Sequence, residues 1–131
     1  MRNPAPSESL KLPLISIVDD DESVRNALKS LIDSVGFRAE VFDSGEKFLN
    51  SPYLSQTDCL ITDVRMPGMS GLELQDRLSA AGRSIPIVFI SAHDDNEARA
   101  RGLRAGAIDF LQKPFSEDSL LGAISVCLDK S

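Results

Sequence analysis

The sequence predicts an α/β fold: a five-stranded parallel sheet, order 2-1-3-4-5, with five helices on both faces. Three observations carry this. Short apolar runs alternate strictly with helix-period segments. Three of the runs are near-continuous Ile, Val and Leu, as strands covered on both faces are. The other two carry charged residues, as edge strands do. The chain has 131 residues, which fits one domain, and its 42% hydrophobic content suffices for a single core.

Residues 1–11 are rich in Pro, Ser and polar groups and are expected to be a flexible leader; residues 12–131 form the domain. Leu14-Ile15-Ser16-Ile17-Val18 reads as the first strand. Val24, Ala27, Leu28, Leu31, Ile32 and Val35 then form the apolar stripe of a packed helix, which Gly36 stops. Phe37–Val41 alternates with period two and is the second strand. Ser44–Asn50 is a short helix, followed by a loop from Pro52. Cys59–Thr62 is the third strand, and Met66–Gly71 is a turn punctuated by Pro and Gly. A helix runs through Leu72, Leu74, Leu78 and Ala81 and ends at Gly82. Ile87–Ile90 is the fourth strand, and a polar helix covers Asn96–Ala105. Ala107–Leu111 is a short fifth strand, Lys113-Pro114 a turn, and Ser116–Leu128 the last helix.

Strand two carries Arg38 and Glu40, and strand five carries Asp109, so these belong at the edges. Right-handed crossovers then favour the order 2-1-3-4-5. In that order strands one and three are neighbours whose connections leave in opposite directions, and ligands bind at the carboxyl ends of strands at such a point.

Asp+Glu 20 against Lys+Arg 14 gives a net charge of -6, which argues against a surface for nucleic acid or an anionic membrane. No apolar run is long enough to span a bilayer, and the N-terminus lacks the apolar stretch of a secretory signal, so a cytoplasmic location is expected. Cys59 and Cys127 lie in apolar surroundings, which fit two buried thiols of a reducing compartment better than a bridge.

Asp19, Asp20 and Asp21 follow strand one, and Asp63 follows strand three. The predicted order brings these carboxylates together. At about 5 Å and an effective dielectric near 20, two of them repel by roughly 3 kcal/mol. Either one takes a proton or a metal ion sits among them. Oxygen-only ligands suit Mg²⁺. Helix capping alone could explain the first acidic run, and turn formation alone could explain Asp63. Capping does not require two acidic loops at adjacent strand ends. Ser91 ends strand four, Lys113 follows strand five, and Phe110 lies within strand five. A carboxylate, a hydroxyl and an ammonium around a divalent ion suit phosphoryl transfer, with the carboxylate as nucleophile.

The segments Ile17–Glu22, Ile61–Gly71, Phe89–Ala92 and Asp109–Phe115 resemble those of the receiver domain of bacterial two-component response regulators, the CheY-like, flavodoxin-like fold. The Asp63 segment and Ser91-Ala92-His93-Asp94-Asp95 are similar to the FixJ-like group, whose members join the receiver to a helix-turn-helix output domain. The resemblance implies Asp63 as phospho-acceptor, taking a phosphoryl group from a sensor histidine kinase and catalysing its own transfer and dephosphorylation as a signalling switch. It implies Mg²⁺, with Mn²⁺ as substitute, held by Asp20 directly, Asp19 partly through water, Asp63 and the main-chain carbonyl of Arg65. Ser91 would hydrogen-bond the phosphoryl group and Lys113 would pair with it. Lys113-Pro114 is expected to be cis. Phe110 is the switch aromatic, rotating between exposed and buried states. Arg65 and His93 could gate the attacking water, and His93 is read as a surface modulator. The changed face of fourth helix, fifth strand and fifth helix would alter homodimerisation or contact with a C-terminal or separate output domain, which points to transcription regulation. The domain itself would not touch nucleic acid.

Three other functions compete. A receiver fold kept as a phosphorylation-independent interaction module usually lacks the acid, the hydroxyl or the lysine, and here all are filled. An aspartyl phosphatase commonly needs a second acid two residues on, where this chain has Arg65. A flavin binder would have its phosphate loop after strand one, where three Asp would repel it.

Overall fold

The computed structural model of the chain describes residues 12–130. The predicted leader, residues 1–11, lies outside the described residues. The elements run β1 (Leu14–Val18), α1 (Glu22–Ser34), β2 (Arg38–Phe42), α2 (Gly45–Leu49), β3 (Cys59–Asp63), α3 (Gly71–Ala80), β4 (Ile87–Ser91), α4 (Asn96–Arg104), β5 (Asp109–Gln112) and α5 (Glu117–Lys130). The strands pair in parallel in the order β2-β1-β3-β4-β5, as predicted. Every residue of β1, β3 and β4 is buried, whereas β2 and β5 are mostly half-exposed, which matches their edge positions.

Strand alternation builds two cores. Ile15, Ile17, Ile61, Val88 and Ile90 face α1 and α5, where Leu28, Ile32, Leu120 and Ile124 meet them. Leu60, Ile87, Phe89 and Phe110 face the other way, against Phe48, Leu74 and Leu78. Cys59 and Cys127 are both free and buried in the first core, as expected of thiols. The Cys59 thiol is pushed far up, first by its hydrogen bond with Cys127 and then by burial.

The differences from the predicted boundaries have local causes. β2 starts at Arg38 rather than Phe37, because the Phe37 amide still bonds Ile32 O and closes α1 through Gly36 at φ 91. β5 starts at Asp109 rather than Ala107, because the Ala107 amide bonds Gly102 O and closes α4. The loop after Pro52 contains a short 3-10 turn, Leu54–Gln56, that the sequence reading did not anticipate.

Candidate phosphoryl site

Sheet register sets the site. Val18 pairs with Thr62, so the next residues along, Asp19 and Asp63, emerge side by side from β1 and β3. Ser91 ends β4 and pairs with Gln112, which puts Lys113 just beyond the end of β5. Asp19 is 0% exposed and Asp63 8%, while Asp20 is exposed. Each of the three offers a carboxylate oxygen within 4.8 Å of the others. At that separation two bare carboxylates repel by roughly 3 kcal/mol at an effective dielectric near 20.

An ammonium offsets this repulsion. Lys113 Nζ donates to Asp19 Oδ2 at 3.1 Å and lies 3.7 Å from Asp63 Oδ2. Lys113 therefore bridges both carboxylates, and part of the positive charge that the crowded acids call for comes from the chain itself. The peptide bond that carries it into Pro114 is cis, as expected. The Asp63 carboxyl is still pushed up, first by burial and then by the Asp19 charge; Lys113 and the Arg65 and Val64 amides pull the other way.

This shift has a definite sign. The native state holds the Asp63 proton more tightly than the unfolded chain does. The resulting stability is complete below the ordinary carboxylate value of 3.8 and is lost as pH rises through the raised value. Asp63→Asn should therefore raise the melting temperature at pH 7 in a metal chelator by ~4 °C, about 1 kcal/mol, and the gain should shrink toward pH 4.

The acidic run divides by role. Asp21 caps α1, accepting from the Ser23 amide at 2.9 Å and its hydroxyl at 2.6 Å. Those bonds hold its carboxyl below the usual range. The capping explanation is thus right for Asp21, and the pocket belongs to Asp19 and Asp20. Asp19 Oδ1 is further fixed by the Asp21 amide at 2.9 Å.

Other predicted site residues lie around the rim. Ser91 Oγ is buried and closes on its own loop, accepting from the His93 amide and donating to the His93 carbonyl, both at 3.1 Å. The His93 side chain is exposed. Phe110 is buried, with its ring 6.2 Å from that of Phe89. The Arg65 amide donates to Asp63 Oδ1 at 3.4 Å, and its guanidinium pairs with Asp95.

Residues 15–125 match the family model described as response regulator receiver domain. The chain belongs to that family. Among its relatives, response regulator protein TmoT of Ectopseudomonas mendocina is 50% identical over 115 residues, 88% of this chain and 52% of TmoT. Transcriptional regulatory protein FixJ of Bradyrhizobium diazoefficiens is 40% identical over 111 residues, 84% of this chain and 54% of FixJ. The chain thus spans about half the length of these curated relatives. Among solved structures, response regulator StyR superposes with a TM-score of 0.84 at 50% identity, covering 90% of this chain and 60% of that one. The FixJ-N structure gives 0.81 at 34%, covering 89% and 94%.

Receiver domains generally bind Mg²⁺ at an acidic pocket, and the donor set here fits it. Three carboxylates supply hard oxygens, two of them desolvated, and their oxygens cluster within 4.8 Å. Among the described residues, no helix is long and apolar enough to cross a membrane.

Two supports of the receiver site escaped the sequence reading. Arg25 of α1 donates from Nη1 to the Asp19 carbonyl at 2.8 Å and pins the acidic loop. Gly71 reads as turn punctuation, yet a Cβ there would fall 2.2 Å from the Asp63 carbonyl oxygen and 3.2 Å from Val64 Cα. Only glycine lets α3 start against the backbone of Asp63 and Val64. Gly71→Ala should cost about 2 kcal/mol in urea unfolding. Gly122→Ala, where α5 has open space around the glycine, should be neutral or stabilising and serves as the control.

Proposed function

We propose that this receiver domain is a phosphorylation switch that takes a phosphoryl group onto Asp63 from a sensor histidine kinase. The observation that carries the reading is the meeting of Asp19, Asp20, Asp63 and the Lys113 ammonium at the carboxyl ends of β1, β3 and β5. An Asp63 oxygen attacks the phosphorus of a phosphohistidine. The P–N bond breaks, the imidazole leaves and takes a proton from solvent, and an acyl phosphate remains. Water attack on phosphorus later returns the carboxylate and inorganic phosphate. Asp19, Asp20, Asp63 and the Arg65 carbonyl would hold Mg²⁺, or Mn²⁺ in its place. The ion supplies positive charge to the phosphoryl oxygens.

The chain's own residues do the rest. Lys113 offsets part of the pocket's negative charge at rest and turns to the phosphoryl oxygens as their charge grows. Ser91 leaves its bonds to His93 for the same oxygens. Phe110, packed inward on Phe89, changes its position in the space so altered. Because Arg99 Nη1 donates to the Phe110 carbonyl at 3.4 Å, a shift in β5 reaches α4 directly. The face of α4, β5 and α5 then changes shape for a homodimer partner or an output domain. The longer relatives named as transcriptional regulators favour a transcriptional output.

A seat for the donor lies beside the site. Val24, Ala27, Leu31, Pro114 and Phe115 line an apolar groove of about 330 Å³ between α1 and the β5–α5 loop, and Lys113 is also part of its lining. A helix carrying the phosphohistidine could rest there with phosphorus toward Asp63.

The test is intact-mass labelling with acetyl phosphate. The reading expects one phosphoryl group per chain, dependent on Mg²⁺ and removed by hydroxylamine, as an acyl phosphate is. A chain that stays unlabelled with Mg²⁺ present would favour the phosphorylation-independent module instead.

A further inference from the structure

Asp95 lies outside the acidic pocket, yet it ties together the two loops that border Asp63. As N-cap of α4, its Oδ1 accepts from the Ala98 amide at 3.0 Å. Its Oδ2 is ion-paired with the Arg65 guanidinium. Arg65 comes from the β3–α3 loop, and its own amide already contacts Asp63 Oδ1 at 3.4 Å. The two partners differ in freedom: the Arg65 side chain is 59% exposed and that of Asp95 19%. Asp95 is fixed by its cap, and Arg65 is the partner that can move.

We propose that Asp95 is a positioning residue for phosphoryl uptake: it parks the Arg65 guanidinium on the α4 cap at rest, and Arg65 exchanges Asp95 for the phosphoryl group once Asp63 carries one. This rests on Asp63 being the acceptor. The driving difference is chemical. A phosphoryl group brings close to two negative charges and three acceptor oxygens, against one charge on the Asp95 carboxylate. A planar guanidinium matches those oxygens well. After the exchange Asp95 keeps its cap to Ala98 but loses its tether to the β3–α3 loop. The first turn of α4 then senses the charge on Asp63 by a path that uses neither Ser91 nor Phe110. The sequence reading placed Arg65 at this rim and missed Asp95, since only the fold brings the two residues together.

Parking Arg65 also has a cost in rate. A guanidinium paired with Asp95 is not available to attract an anionic donor. Asp95→Asn isolates that effect, because Asn caps a helix as well as Asp does but carries no charge.

The experiment uses the whole 131-residue chain with Mg²⁺ and follows phosphoryl uptake by intact mass. Two donors differ in charge: acetyl phosphate, a dianion, and phosphoramidate, a net monoanion. With the first, Asp63 bonds phosphorus as the P–O bond breaks and acetate leaves; with the second, the P–N bond breaks and ammonia leaves. Asp95→Asn should speed labelling by acetyl phosphate about two- to fourfold, the scale of an exposed ion pair, and labelling by phosphoramidate less. In an Arg65→Gln background the same Asp95→Asn change should alter neither rate. Equal acceleration in both backgrounds would make Asp95 a general repulsive charge and overturn the proposal, as would no acceleration of the single variant. A wild-type chain that takes no label removes the acceptor reading, and this proposal with it. A labelled wild type with an unaccelerated Asp95→Asn removes only this proposal.

Discussion

Asp63→Asn should fold and take up no phosphoryl label, its rate with acetyl phosphate and Mg²⁺ falling at least ~10³-fold. The amide has the shape of the carboxylate and keeps an oxygen for the Arg65 N–H, which Asp63 Oδ1 accepts at 3.4 Å. It has no anionic oxygen to attack phosphorus. The change also removes one of three crowded carboxylates, so the variant should be more stable than the parent at neutral pH. Loss of labelling beside gained stability marks a group held at a structural cost for its chemistry. Intact mass and thermal melting on the same sample check both. A hydroxylamine-labile label persisting on Asp63→Asn would move the acceptor elsewhere.

Lys113→Ala should lose both stability and activity. Asp19 is 0% exposed, and the Lys113 ammonium at 3.1 Å is the cation paired with it. Truncation leaves a buried carboxylate beside Asp63 with no positive partner among the described residues. Breaking a buried pair this way costs several kcal/mol; with Lys113 21% exposed, we expect about 2–3 kcal/mol at pH 7 in a chelator. Added Mg²⁺ should recover most of that loss, more than it stabilises the parent, because it supplies the missing charge. Phosphoryl uptake should fall ~10²-fold even with Mg²⁺ if, as proposed, the ammonium also binds the transferred oxygens. Urea midpoints with and without Mg²⁺ measure the first effect, and labelling rates the second. An unchanged midpoint in chelator would mean that Lys113 does not hold the carboxylates together.

The fold was legible because strand burial leaves a direct mark on composition. Near-continuous apolar runs at Leu14–Val18 and Ile87–Ile90 can only be buried on both faces, and Arg38, Glu40 and Asp109 can only stand at an edge. Order then placed Asp19, Asp63, Ser91 and Lys113 at strand ends. Finer roles were less visible, for three reasons. Asp20 and Asp21 are the same residue type, and only backbone direction turns one toward the pocket and makes the other a cap. Gly71 looks like any turn glycine until α3 is seen against the Asp63 carbonyl. Asp95 pairs across 30 residues with Arg65, which no local pattern records. Strand ends shifted by one or two residues, where Phe37 and Ala107 complete the preceding helices.

Borohydride trapping of the phosphorylated chain tests the central claim most directly. The reagent reduces an aspartyl phosphate to homoserine at the residue that carried it, and peptide mass spectrometry then locates that residue. The account predicts homoserine at position 63 and an unchanged Asp19 and Asp20. Homoserine at Asp19 or Asp20 instead, or a label on a hydroxyl that resists reduction, would contradict it.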